Sequence, residues 1–224
     1  MTPTESAAAK PQLITPTFVL AWVANFCQFL VFYLFVTTMA LYAVESFGAS
    51  DTVGGFASSA FVLGATCMRV FSGWIVDRVG HKKAALASLA FVTLVAVAYF
   101  FAHNVAVLII VRMVHGAAYA LTSTALMAVA QSVIPHERRA EGTGYFALGT
   151  TLATAFGPAI GLLLANNIGY TTLFAVALGA NIVSLILALV LRYPAEVSSE
   201  KPAFSLRNAV HPNVVPICLL YTSD

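Results

Sequence analysis

Residues 72–85, "SGWIVDRVGHKKAA", crowd Asp77, Arg78, Lys82 and Lys83 into seven positions, with Gly73 before them and Gly80 among them. The stretches on either side carry almost no charge. The chain has 224 residues, 60% of them hydrophobic and 9% charged, and its mean hydropathy is +0.88. Soluble domains carry about 25% charged residues, because a surface in water has to be polar. A chain this apolar has no such surface. It is expected to be a lipid-embedded protein whose few charges mark where it leaves the hydrocarbon. Its net charge of +2 is too small to suggest a nucleic-acid partner.

A helix crossing a hydrocarbon core of about 30 Å needs about 20 apolar residues at 1.5 Å each. Working outward from the charged stretch, six such runs appear. No charge occurs from Phe18 to Val44, which makes the first span, and "ESFGASD" breaks it. The second runs over about 52–76 and is interrupted only by Arg69. The third covers about 84–101 and is closed by "AHN". The fourth, about 105–133, contains Arg112, and "PHERRAEG" follows it. Residues 142–191 hold no Asp, Glu, Lys or Arg, too long for one helix, and "NNIGY" at 166–170 supplies turn residues that split them into spans over 142–165 and 171–191. Residues 1–16 read as a tail and not as a cleavable signal, since the apolar run behind them is far longer than a signal core. The expected organisation is a tail at 1–16, a six-helix bundle at 17–192, a linker at 193–212 and the start of a truncated seventh helix at 213–224. Cys27, Cys67 and Cys218 lie in apolar runs with spacing that suits neither a metal site nor a disulfide framework.

The basic residues alternate by loop. Lys10 precedes span one; Arg78, Lys82 and Lys83 lie between spans two and three; Arg138 and Arg139 lie between four and five; Arg192, Lys201 and Arg207 follow span six. Nine of the eleven Lys and Arg thus fall on one side and none on the other, with Arg69 and Arg112 inside spans. Positive charge stays in the cytoplasm, so the tail and the linker are expected there, in a multi-pass protein of the cell membrane.

Topology alone explains the bases of the opening stretch. It leaves Asp77 and the two glycines over. Gly73 allows two helices to approach closely. Gly80 permits a turn with φ > 0. Asp77, at the end of span two, can pair with a base or cap another helix. This set, Gly73-x-x-x-Asp77-Arg78-x-Gly80-His81-Lys82-Lys83, resembles the signature loop of the major facilitator superfamily, which lies between that family's second and third helices. "RMVHGAAYA", residues 112–120, resembles its fourth-helix motif, an Arg followed by Gly four residues later. "GTTLATAFGPAIG", residues 149–161, resembles the fifth-helix signature associated with antiporters, with Gly157, Pro158 and Gly161 at its centre. The resemblance covers about 17–210. It implies an all-α membrane protein: six transmembrane helices forming the N-terminal bundle of a twelve-helix fold, with the second bundle as its missing partner.

Inside the membrane, Arg112 stands out. Eight residues into span four, it lies about 12 Å deep, where a charge costs several kcal/mol unless paired or hydrated. His115 and Tyr119 follow at i+3 and i+7, on the same helix face. Such a face suits a water-filled cavity; alternatively, Arg112 ties helices through backbone carbonyls. His115 can join a proton relay or stay neutral and hydrogen-bonded. Asn25 and Gln28 on span one and Asn181 on span six can line the same cavity or bridge helices. Phe26, Phe29, Phe32, Tyr33 and Phe35 surround span one on all sides, which speaks against an aromatic cage. Arg69 can snorkel toward the cytoplasm and support the Asp77 loop. No carboxylate lies deep in any span, which disfavours a strongly cationic solute. The sequence shows no Ser/His/Asp set, paired acids or metal-ligand spacing, so neither an enzyme nor a cofactor is expected. The leading reading is a secondary transporter moving a small solute by alternating access, an exporter with proton antiport; the alternative is a six-span sensor or scaffold that does not transport.

Overall fold

The computed structural model describes residues 12–191 and Tyr193. Lys10, Arg192, Lys201, Arg207, Cys218, most of the expected linker and the expected seventh helix lie outside the described residues. Six long helices follow one another: α1 Pro16–Phe47, α2 Asp51–Val79, α3 His81–Ala98, α4 Val105–Val133, α5 Arg139–Asn167 and α6 Tyr170–Val190. A short 3₁₀ turn, Tyr99–Phe101, extends α3. All six are long and apolar enough to cross a membrane.

The helices overrun the apolar runs by a few residues at several ends, because hydropathy marks where lipid stops and caps mark where a helix stops. Thr15 accepts from the Phe18 N–H at 3.2 Å, with Pro16 at the first helical position. Gly48 ends α1 in the left-handed region, φ 63°. Asn104 caps α4 by accepting from the Val107 N–H at 2.9 Å. The "NNIGY" break is real: α5 ends at Asn167, and α6 starts after Gly169, φ 109°.

α1 and α4 form the centre. α4 packs along α2 and α3; α1 packs on α5, α6, α2 and α4; α3 and α6 close the back by packing on each other. α2 and α5 flank the front and share no extended contact. Burial follows that arrangement: half of the most apolar stretch of α4 is buried, against 28% for α2 and 22% for α5.

Glycine sets the two closest crossings. A Cβ at Gly116 would collide with the Phe61 carbonyl, and one at Gly64 with the Met113 carbonyl, so α2 and α4 touch backbone to backbone. On α5, a Cβ at Gly157 would lie 2.5 Å from the Tyr33 Cβ, and one at Gly161 would lie 2.6 Å from the Leu34 carbonyl oxygen. The fifth-helix glycines thus seat α5 on α1. Gly73 differs from the sequence expectation: nothing lies within 4 Å of a Cβ placed there. Its close approach is not to any neighbour among the described residues.

These two kinds of glycine are separable by experiment. Gly116→Ala should cost about 1–3 kcal/mol, because backbone has to move to admit the methyl group. Gly73→Ala should leave bundle stability unchanged. The thermal unfolding midpoint of the detergent-solubilised chain reads both, and equal midpoints for the two variants would contradict the packing described.

Candidate functional site

α4 brings Arg112, His115 and Tyr119 to one buried stripe, as their spacing predicts. Arg112 is 0% exposed. Its Nη2 donates to the Ser58 carbonyl at 2.8 Å and its Nε to the Ala57 carbonyl at 3.4 Å. Both acceptors belong to α2, brought within reach by the Gly64 and Gly116 contacts. Nη1 has no hydrogen-bond partner. The guanidinium carbon lies 4.9 Å from the centre of the Phe61 ring and 6.0 Å from that of Phe35.

His115 is held by Tyr99: the hydroxyl and Nδ1 lie 2.9 Å apart, both buried. Tyr99 also interacts electrostatically with the Arg112 guanidinium. Neither Tyr99 nor Phe61 was picked out by the sequence reasoning. Phe61 is the common wall of the stripe, with its ring centroid 5.3 Å from that of His115 and 5.2 Å from that of Tyr119. Both lie on helices other than α4, and no sequence spacing relates them to it.

Asn25, Gln28 and Asn181 lie elsewhere. All three are buried. The Gln28 amide donates to Asn181 Oδ1 at 2.9 Å, and the Asn181 amide to the Ala177 carbonyl at 3.1 Å. Next to this pair, Ser184 donates to the Ala24 carbonyl at 2.9 Å. This polar seam joins α1 to α6 at the back of the bundle. Gln28→Leu should strip Asn181 of its donor and destabilise the protein by about 1–3 kcal/mol, the cost of an unpaired buried amide. The double variant with Asn181→Leu should recover part of that loss. A double-mutant cycle on unfolding free energies checks this, and additive losses would sink the pairing.

The aromatic residues of α1 sort themselves by face, which the all-round pattern in the sequence concealed. Phe26 stacks on Trp22 at 5.8 Å. Phe35 turns inward to Tyr99, 4.9 Å away. Phe29 and Phe32 meet Tyr119 at 5.5 and 5.8 Å, Phe32 meets Phe61 at 4.9 Å, and Tyr33 meets Phe32 at 4.8 Å. Five rings from three helices therefore do form a cluster at the front. Arg69, exposed on α2, acts electrostatically on Tyr119.

The charged loop closes one end. Gly80 ends α2 and begins α3 at φ 95°, as its glycine suggested. Arg78 lies over the Trp74 ring at 5.3 Å and Lys82 over that of Tyr193 at 5.7 Å. Asp77 and Lys83 are exposed. Among the described residues Asp77 makes no ion pair, and the loop bases do not neutralise it.

The chain is similar to several known proteins over part of their length. An uncharacterized protein of Mycobacterium tuberculosis is 35% identical over 124 residues, 55% of this chain and 29% of its own length. The staphylopine export protein of Staphylococcus aureus is 31% identical over 58% of this chain and 32% of its own length. A multi-drug resistance efflux pump of Streptococcus pneumoniae is 29% identical over 69% of this chain and 39% of its own length. The chain thus aligns with between about three tenths and two fifths of the length of these relatives. The family model described as Major Facilitator Superfamily matches residues 21–222. Six membrane-capable helices, with the glycine-flanked acidic loop between the second and third and a buried arginine on the fourth, stand under that match, and the chain belongs to the Major Facilitator Superfamily.

Proposed function

We propose that the protein is a secondary transporter of a small solute that works by alternating access, with these six helices forming one wall of the solute path and a second six-helix bundle the other. Arg112 carries this reading. It is a fully buried cation with one guanidinium nitrogen unpartnered. The carboxylates on the six helices, Glu45, Asp51, Asp77 and Glu141, all lie within a turn of a helix end. A charge without counter-charge at this depth is costly, and a neutral side chain would tie α4 to α2 at lower cost.

In this reading Arg112, His115 and Tyr119 are the coupling stripe of the cavity wall, Gln28 and Asn181 brace α1 against α6 behind it, and Asn25 is a further polar group of α1 for the cavity. The Asp77 loop, with Gly73, Arg78, Gly80, Lys82 and Lys83, is a conformational latch. The acid is left unpaired because its partner belongs to the second bundle, and Gly73 is bare for the same reason. Gly157, Pro158 and Gly161 let α5 ride on α1. Export is the favoured direction, supported by relatives named for export and efflux. Proton antiport would use His115 or a group on the second bundle. Alternation of basic loops supports a cytoplasmic N-terminus in the cell membrane.

The test uses the complete protein in cells screened for lowered accumulation of small solutes. For a solute found this way, Arg112→Lys should impair transport nearly as much as Arg112→Ala at full membrane abundance, because Lys keeps the charge and loses the planar fork. Asp77→Asn should be inserted normally and slow transport. Rescue by Lys, or activity falling in step with abundance, would reduce Arg112 to a helix tie. Failure to find any protein-dependent solute would overturn the transporter reading.

Orientation has its own check. With the native cysteines replaced, a cysteine at His103 should react with an impermeant thiol reagent from outside, and one at His136 only after the membrane is opened. The reverse pattern would invert the topology.

A further inference from the structure

Resting on the transporter reading, we propose that the solute is a planar aromatic molecule bearing an acidic group, stacked on the rings of Phe29, Phe32 and Tyr33, over a floor of Phe61 and Tyr119, with its charge against Arg69. The cluster lies at the middle of the helices: Tyr119 is the central residue of α4, Val105–Val133, and Phe32 stands at the midpoint of α1, Pro16–Phe47. Phe61 and Tyr119 are buried and form its floor, whereas Phe29, Phe32 and Tyr33 are half-buried and leave ring surface uncovered. The rings meet one another edge-on, stacked and tilted, so a flat guest finds both face and edge partners.

Two features separate this surface from a lipid-facing one. The first is Arg69, exposed ten residues before the end of α2 at Val79 and therefore about 15 Å from that end. A guanidinium turned toward lipid there would have to snorkel to the interface, whereas a hydrated cavity receives it directly. The second is α5 across the opening. Gln131 on α4 donates to Thr143 Oγ1 at 2.8 Å, which turns that stripe of α5 toward α4. Thr150 and Thr154 continue the stripe at i+7 and i+11. The outward face of α5, with Tyr145, Leu148, Leu152 and Phe156, is apolar and exposed.

Charge fixes the sign of the guest. Arg112 lies over Phe61, bonded to α2 carbonyls, which leaves Arg69, exposed on α2 and close enough to act on Tyr119, as the other cation within the spans. No carboxylate of the six helices lies at this depth to attract a cationic guest.

The experiment uses the chain in phosphatidylcholine nanodiscs and measures binding of radiolabelled 2-naphthoate, with 2-naphthylmethanol and 2-naphthylmethylammonium as neutral and cationic competitors. Saturable naphthoate binding above that of empty discs is expected, stronger than for either competitor. Arg69→Gln should weaken naphthoate binding by about tenfold and bring it level with the alcohol, while Arg69→Lys keeps the preference for the acid. Phe32→Leu and Tyr119→Leu should weaken the acid and the alcohol alike. Phe91→Leu, the same change on an exposed position of α3, should do nothing, and circular dichroism of each variant controls for folding. Absence of saturable binding, preference for the cation, or indifference to Arg69→Gln in a folded variant would overturn the proposal. A cationic or non-aromatic solute moved by the complete protein would overturn the solute class and leave transport standing, whereas the absence of any moved solute would overturn transport itself.

Discussion

A guanidinium inside a helical bundle has to find its partners within the protein, and the arrangement around Arg112 answers that need. Helix carbonyls that already accept one intrahelical bond have a second lone pair to offer. Ala57 and Ser58 on α2 supply it, on a helix whose backbone is in contact with that of α4. That contact exists because Gly64 and Gly116 have no side chains. Phe61 then has nowhere to go except over the cation. Arginine, two glycines and a phenylalanine therefore form a single unit, and the fourth-helix pairing of Arg112 with Gly116 is the part of it that shows in the sequence.

From this unit the bundle divides into a braced back and an open front. The back is cross-linked by polar bonds between α1 and α6: Gln28 with Asn181, Ser184 with the Ala24 carbonyl, and Tyr170 with Glu45 at 2.7 Å. At the front, α2 and α5 stand apart and expose rings, threonines and Arg69. A bundle built this way can move as one body, because two of the three bonds that would have to break for α1 to shift against α6 are buried. Whatever fits against its front has to satisfy surface that lipid cannot.

The span count was legible because a hydrocarbon slab imposes a length on every crossing, and because the basic loops alternate without exception. The helix ends were less so: Thr15 and Pro16 start α1 before the apolar run begins, since a cap needs a hydrogen bond and no hydropathy. The stripe of Arg112, His115 and Tyr119 followed from helical periodicity alone. Its partners did not, because Tyr99 and Phe61 come from other helices and are related to it only by packing. Glycine was the most misleading residue type. Gly73, Gly64 and Gly116 look alike in the sequence, yet only the latter two meet a neighbouring backbone. The aromatic run on α1 misled for a similar reason: spread around the helix it suggested no cluster, and only the positions of α2 and α4 decide which rings converge.

The seam between Gln28 and Asn181 also sets a timetable. Its two halves are 153 residues apart in the chain. At synthesis rates of about 5–20 residues per second, α1 leaves the ribosome about 8–30 s before the helix that completes its hydrogen bonds. During that interval the most central helix of the bundle carries the Gln28 amide with no α6 to receive it. α1 must therefore wait beside water, the insertion machinery or the early α2–α4 pair, and the sixth helix is the one that locks the first into place.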